Sequence, residues 1–241
     1  MSHPTISLLH ATRGRPEKCI ATMRLWAERA HAPAQIEYVI AYDKSDTATA
    51  VHLDSVLPGS EMPWFEGGVA VVRGDFGGSA PAWFAAQRVA SGALYVQVSD
   101  DFEPPEDWDL ALLGRLPAEW EEEPIVIAVS DGLRRDKLLT MAICTAAYVQ
   151  QKGDFLCPLY QSMFSDNEFT YRAYKDHDTG IAKVIEARDL TFMHRHHCAN
   201  PDVPEDDTYR WQNRPEAYEA GHKLFEERNP FAYSRDAKIW L

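Results

Sequence analysis

The 241 residues predict an α/β fold: a mostly parallel sheet covered by helices on both faces. Three observations carry that expectation. Short, nearly continuous apolar runs, as strands buried on both faces require, recur between positions 6 and 129 and alternate with segments of helical periodicity. Hydrophobic residues make up 45% of the chain and include seven tryptophans, enough apolar surface for a full core and too much for a disordered chain. There is no internal repeat, low-complexity tract or evident linker. The length, about one and a half times that of a usual domain, is therefore expected to form one domain over 1–197, with a polar C-terminal extension over 198–241 packed on it.

Ile6 to Ala11 reads as a short buried strand. The loop Thr12-Arg13-Gly14-Arg15 follows, and Pro16 suits the first turn of a helix, where its missing N–H costs nothing. Cys19, Ile20, Met23, Leu25, Trp26 and Ala30 give an approximate helical stripe, so this helix is expected to reach about Ala30. Glu37 to Tyr42 forms a second strand that ends at Asp43, and Val69 to Val72 a third. A turn with Gly74, Gly77 and Gly78 leads into a helix over about Pro81 to Ser91. Ala93 to Val98 is a fourth strand, running into Ser99-Asp100-Asp101, and Pro124 to Val129 a fifth. From about residue 198 the sequence turns polar and acidic, with one helix expected over Pro215 to Glu227 and Asn213 as its cap.

Ligands of open α/β sheets bind beyond the carboxyl ends of the strands. That rule gathers Thr12, Arg13 and Arg15 after the first strand, Asp43 after the second, the glycine turn, and Ser99 to Asp101 after the fourth. Arginines at a helix amino end suit a phosphate. Adjacent acids at the end of an apolar strand repel each other, and a bound cation relieves the repulsion. Oxygen ligands in that position suit Mg2+ or Mn2+ bridging a diphosphate; the other reading of either acid is a cap on the turn before Pro104-Pro105. The net charge of −13, from 37 acidic and 24 basic residues, disfavours polyanionic partners over long range. A divalent cation reverses that field locally.

An initial strand with T-R-G-R-P, a second strand ending in Asp43, the G-G-S-A-P helix and the segment S-D-D-F-E-P-P-E-D-W-D follow in that order. This succession resembles the GT-A nucleotide-sugar glycosyltransferases, closest to the large inverting group that includes many phage and bacterial enzymes. The resemblance implies a nucleoside-diphosphate sugar donor, with a UDP-sugar favoured. It places Thr12, Arg13, Arg15 and Gly78 along the nucleotide-sugar, Asp43 on the base, Asp100 near the ribose and Asp101 on the metal. Ser99 stands where the family has the first acid of its D-x-D-like triplet. Phe164 to Arg172 looks like the family's E-D-x-x-L-x-x-R segment, with Ser165 replacing the usual acid. That puts Asp166 at the start of a helix as the catalytic base, with Arg172 six residues on. An N-cap is the other reading of Asp166.

If Leu190 to His196 is a strand, Leu190, Phe192, His194 and His196 share one face. It resembles an H-x-H segment followed by D-x-T-Y, here Asp206-Asp207-Thr208-Tyr209, and implies that His194 or His196 completes the metal site. A surface cluster or a diphosphate contact is the other reading. The acceptor stays open among a modified DNA base, glycans, lipid-linked sugars and proteins, with DNA opposed by the acidity unless Arg134, Arg135 and Lys137 form a basic face. Those three read first as a solvated helix start. Two other function classes compete. One is a nucleotidyltransferase, whose glycine-rich signature T-R-G-R-P matches poorly. The other is a non-catalytic sugar- or nucleotide-binding module, which Ser99 and Ser165 keep in view. With no signal peptide, no span-length apolar stretch and no C-x-x-C pair among Cys19, Cys144, Cys157 and Cys198, a cytoplasmic protein with reduced thiols is expected.

Overall fold

The computed structural model describes residues 4–57, 65, 67–197 and 205–232. In chain order its first half runs β1 (Ile6–Thr12), α1 (Pro16–Glu28), β2 (Ile36–Asp43), α2 (Thr47–Val56), β3 (Val69–Gly74), α3 (Ser79–Gln87), β4 (Leu94–Val98), β5 (Phe102–Glu103) and α4 (Trp108–Leu113). The second half runs β6 (Ile125–Ser130), β7 (Ile143–Thr145), α5 (Ala146–Lys152), α6 (Ser165–Asp178), β8 (Lys183–Thr191), β9 (Met193–His194), α7 (Asp207–Gln212) and α8 (Pro215–Arg228).

The seven-stranded sheet has the order β3-β2-β1-β4-β7-β6-β8 and is parallel except at β7, which runs against both of its neighbours. Every residue of β1 and β4 is buried, which is why their sequences read as continuous apolar runs. Alternate residues feed two cores. Leu8 and Ile40 pack on the face that holds Trp26 and Trp108, while Leu9 and Val39 pack on the face that holds Trp83 and Phe169. The indole N–H groups find carbonyls within the core: Trp26 on Phe102 (3.1 Å), Trp108 on Trp26 (2.9 Å) and Trp83 on Val98 (3.0 Å). A third, smaller core lies under α8, around Phe164, Tyr160 and Phe225.

From β1 the chain winds outward to β2 and β3, then returns to place β4 on the other side of β1. That reversal opens a crevice beyond the carboxyl ends of β1 and β4.

Several expected boundaries move. The first helix stops at Glu28, short of Ala30, and α3 begins at Ser79 rather than Pro81. The strand expected through His196 breaks after Thr191; β9 resumes for two residues, paired with β5, so His196 lies beyond strand alternation. Asn213 caps the end of α7, with its side-chain amide on the Tyr209 carbonyl (2.9 Å), and Arg214 holds the N-cap position of α8. Cys198 falls outside the described residues, whereas Cys19, Cys144 and Cys157 are buried free thiols. Among the described residues, no helix is long and apolar enough to cross a membrane.

Candidate active site

The crevice is a cleft of about 690 Å³, and the structure brings all ten residues singled out from the sequence to its lining: Thr12, Arg13, Arg15, Asp43, Gly78, Asp100, Asp101, Asp166, His194 and His196. Arg134 joins them, its guanidinium paired with Asp136, whereas Arg135, Lys137 and Arg172 do not line the cleft. Arg172 is paired with Asp154 instead.

Asp43 ends β2. Its carboxylate accepts from the backbone and hydroxyl of Ser45 (3.0 and 2.6 Å) and from the Gly77 amide (3.2 Å), and it faces Arg13 at 3.8 Å. Burial alone would raise its pKa, but these bonds and the guanidinium hold it at about 2. Gly78 follows, pressed so closely on the Gln161 carbonyl that a Cβ would strike it.

Asp100 is already engaged by the protein. His10 Nε2 lies 3.0 Å from one oxygen, the Thr12 hydroxyl donates to both (3.2 and 3.0 Å), and Arg15 approaches at 3.8 Å. His10 itself, a polar residue midway along an apolar strand, was missed by motif reading. It is fully buried, with Nδ1 2.8 Å from the Tyr38 hydroxyl and 3.8 Å from Cys19 Sγ. Burial would discharge the imidazole, but the Cys19 sulfur and the Asp100 carboxylate outweigh it and push the pKa up to about 10. His10, Cys19 and Asp100 lie close enough together to suggest a cation site. The two ring nitrogens turn to different partners, however, so the set is a hydrogen-bonded core and not a chelate.

Asp101 faces the cleft. One of its oxygens accepts from the Ser99 hydroxyl, and the other lies 3.3 Å from His194 Nε2. The β5–β9 pairing sets Phe102 opposite His194, and their rings stack at 4.3 Å. Burial would raise the Asp101 carboxyl, but the His194 and Ser99 bonds bring it down to about 2. His196 stands beside this pair, its ring centroid 4.9 Å from that of His194. A carboxylate held low next to an imidazole nitrogen, both opening on the cleft, fits a divalent transition metal. The nitrogen suits Mn2+ better than Mg2+.

Asp166 occupies the first turn of α6 but is not its cap. Phe164 holds that position with left-handed backbone and no side-chain capping bond. Asp166 accepts the Asn167 amide (2.9 Å) and lies within electrostatic reach of Arg134 and His194. Burial dominates, and its carboxyl is pushed above the usual range.

The C-terminal segment, expected to pack on the domain, supplies one wall of the cleft through Thr208, Tyr209 and Trp211. Arg15 forks onto Asp206 with two bonds of 2.7 Å, and Asp206 also caps α7 through the Tyr209 amide (2.8 Å). The Thr208 hydroxyl donates to the Arg13 carbonyl (2.9 Å), and the Arg13 guanidinium lies 5.3 Å from the Trp211 ring centre. The D-x-T-Y motif was visible, but its grip on the β1 loop joins residues about 190 positions apart and leaves no local pattern.

No protein family and no curated protein matches the chain. Solved structures do match. TarS 1-349 of S. aureus superposes with a TM-score of 0.60 at 13% identity, over 96% of this chain and 75% of that one. Against a longer TarS chain the match covers 46% of its length. A mannosyltransferase from Pyrobaculum calidifontis, in complex with GDP-Man and Mn2+, gives 0.61 at 12% identity, over 98% and 78%. Glucosyl-3-phosphoglycerate synthase from Mycobacterium tuberculosis, with Mn2+, UDP and glucosyl-3-phosphoglycerate, gives 0.52 at 13%, over 80% and 72%. The chain has a GT-A fold. Its cleft lies where the strand-end rule puts the ligand site of an open α/β sheet such as this GT-A fold.

Proposed function

We propose that this chain is a metal-dependent inverting glycosyltransferase that moves a sugar from a nucleoside-diphosphate sugar, a UDP-sugar by preference, to an acceptor hydroxyl. One observation carries the reading: Asp101 and Asp166 open on one cleft in opposite environments, the first kept ionised by His194 and Ser99, the second raised by burial. Groups whose surroundings push their pKa values apart mark separate roles, here ligand and base. The donors bound by GT-A neighbours support the class: UDP-GlcNAc in TarS, GDP-Man and Mn2+ in the archaeal mannosyltransferase.

Asp166 takes the proton of the acceptor hydroxyl as that oxygen bonds to the anomeric carbon. The bond from that carbon to the diphosphate breaks on the opposite face, and its electron pair leaves on the diphosphate oxygen, which inverts the centre. Asp101 and His194, with His196 beside them, would hold Mn2+ or Mg2+, which when bound supplies positive charge to the departing diphosphate. Arg13, Asp43, Thr12 and Gly78 line the nucleotide end. Asp100 holds the β1 loop in place more than it reaches out to a ribose, because its oxygens are already bonded to His10 and Thr12. Arg15 likewise enters through its Asp206 fork, which a diphosphate would share or displace. The acidity that argues against a DNA acceptor leaves glycan and other uncharged hydroxyl acceptors favoured, and a cytoplasmic location accords with the free buried thiols.

A panel of UDP-GlcNAc, UDP-glucose and GDP-mannose, each with Mn2+ and no added acceptor, tests the reading through diphosphate release to water. Release from one donor, lost in Asp101→Ala, is expected. The absence of both turnover and calorimetric binding across the whole panel would overturn the proposal.

A further inference from the structure

α8 lies at the far end of the chain and supplies only Tyr218 to the cleft lining, yet it grips both sides of Asp166. On the N-terminal side is Phe164, with φ of 70°. Among the described residues only Asp107 and Glu119 share a positive φ without being glycine. Those two are acidic residues on exposed turns, whereas Phe164 is bulky and 6% exposed. A buried phenylalanine holds such backbone only when its surroundings over-determine it. The surroundings are α8: the Phe164 ring packs against Tyr218 at 5.0 Å, His222 at 5.2 Å and Phe225 at 6.0 Å. Gly221 brings the helix down to this depth, since a Cβ there would stand 2.6 Å from the Met163 carbonyl and 3.1 Å from the Phe164 ring. On the C-terminal side, buried Glu168 receives a two-pronged guanidinium from Arg228 (2.8 Å each) and the amide of Asn229 (3.1 Å).

We infer that α8 is part of the reaction apparatus: its aromatic clamp on the left-handed Phe164, with the Arg228–Glu168 fork, sets where Asp166 points, making Phe164, Gly221 and His222 positioning residues. The inference rests on Asp166 being the base. A carboxylate displaced by an ångström loses the line from acceptor oxygen to anomeric carbon without disturbing the donor, which is held by other elements.

Gly221→Ala drives a methyl group into the Met163 backbone, and His222→Ala removes one ring from the clamp at a half-exposed position that lies outside the cleft lining. Each is measured for Mn2+-dependent hydrolysis of UDP-GlcNAc, UDP-glucose and GDP-mannose, for UDP affinity by calorimetry, and for the Asp166 carboxyl titration by 13C NMR, with Arg134 and His194 as the charges in reach. The expected result is a kcat lower by tenfold or more in Gly221→Ala and a few-fold in His222→Ala, with UDP affinity and Tm kept in His222→Ala. The Asp166 titration should move toward the ordinary carboxylate range, and His222→Phe, which restores a ring, should recover the rate. An unmoved Asp166 titration in Gly221→Ala overturns the inference whether or not a donor turns over, as does equal loss of UDP affinity and rate. Full activity in Asp166→Asn would remove the base reading itself. Inactive Asp166→Asn beside fully active Gly221→Ala would remove only the role of α8.

Discussion

Asp101 and Asp166 are the same side chain opening on the same cleft, and the two regions that present them treat it in opposite ways. Asp101 stands at the end of a fully buried strand, hydrogen-bonded to Ser99 and His194 and held at about 2. Asp166 sits in the first turn of a helix, its carboxylate held by backbone amides of its own turn, that of Asn167 among them, and burial moves it the other way. The strand-end region arrives with its charges matched: Asp43 by Arg13, Asp100 by His10 and Arg15, Asp206 by Arg15. The α6–α8 region leaves its acid without a hydrogen-bonding cation and fixes it by packing instead. Charge matched in advance suits a group that must stay ionised for a ligand, whereas a carboxylate raised by burial is a stronger proton acceptor. The difference between the regions is what the proposed reaction needs: an ionised group on the donor side and a proton acceptor on the acceptor side.

The most severe way to break that contrast is Asp166→Asn, which keeps shape and removes basicity. Turnover should fall by about 10²–10⁴-fold, the usual worth of a general base, with UDP affinity intact; a parallel loss of UDP affinity would place Asp166 with the donor. In the unaltered chain the rate should rise with pH on the acid side, because the base works deprotonated, through a midpoint above the ordinary carboxylate value. Rate–pH profiles check this. Next in size is Asp101→Ala. Mn2+ affinity, followed by paramagnetic resonance, should drop by at least about tenfold, in line with the loss of a ligand or its close partner. His194→Ala should follow it, and unchanged Mn2+ binding in both variants would move the cation elsewhere in the cleft.

The two regions also differed in how much of them could be read in advance. The strand-end wall of the cleft was legible because each part is a local signal placed by one global rule: a continuous apolar run marks a buried strand, and whatever follows it lands in the crevice. Thr12, Arg13, Asp43 and Asp101 needed nothing more. Asp166 was legible through its motif, and His194 through a histidine cluster whose expected strand broke at Phe192 without moving the His194 ring from Asp101. What escaped were contacts between distant positions. His10 looks like an interruption in an apolar strand until Asp100 is brought beside it, and Arg15 looks free for phosphate until Asp206 arrives from the far end of the chain. The left-handed backbone of Phe164 has no sequence signature, because phenylalanine is not a residue that favours it.

His10 allows a finer test of the matched region. His10→Ala leaves the Tyr38 hydroxyl and an oxygen of Asp100 without their buried partner, and stability should fall by about 1–3 kcal/mol, read by denaturant unfolding, with the Asp166 titration unchanged. The sign of the pH effect is set by a folded pKa raised from the ordinary histidine value to about 10. The contribution is complete below pH ~6.5 and is lost as pH rises toward about 10. The unaltered chain should therefore lose stability over that window, and the variant should lose less. Equal slopes would mean that His10 is neutral in the fold and that Asp100 is matched by Arg15 and Thr12 alone.

The smallest expected effect lies where the two regions meet, at the docking of α7 on the β1 loop. Asp206 is held at about 2 by the Arg15 fork, the Tyr209 amide and the Lys18 charge, all acting against burial. A depressed folded pKa means that the fork's contribution is present above the ordinary carboxylate value, about 3.9, and fades as pH falls toward 2. The Tyr209 amide, which donates to Asp206 Oδ1 at 2.8 Å, reports on this directly. Its hydrogen-exchange protection, corrected for intrinsic rate, should decline between pH 4 and pH 2, before amides at the centre of β1 lose theirs. Asp206→Asn still offers an oxygen to that amide but turns an amide nitrogen toward Arg15, so protection should start a few-fold lower and stay flat over the same range. Protection that stays high and level in the unaltered chain would assign the docking to the Thr208 hydroxyl and the Arg13–Trp211 contact. Arg15 would then be available to a diphosphate without a competing acid.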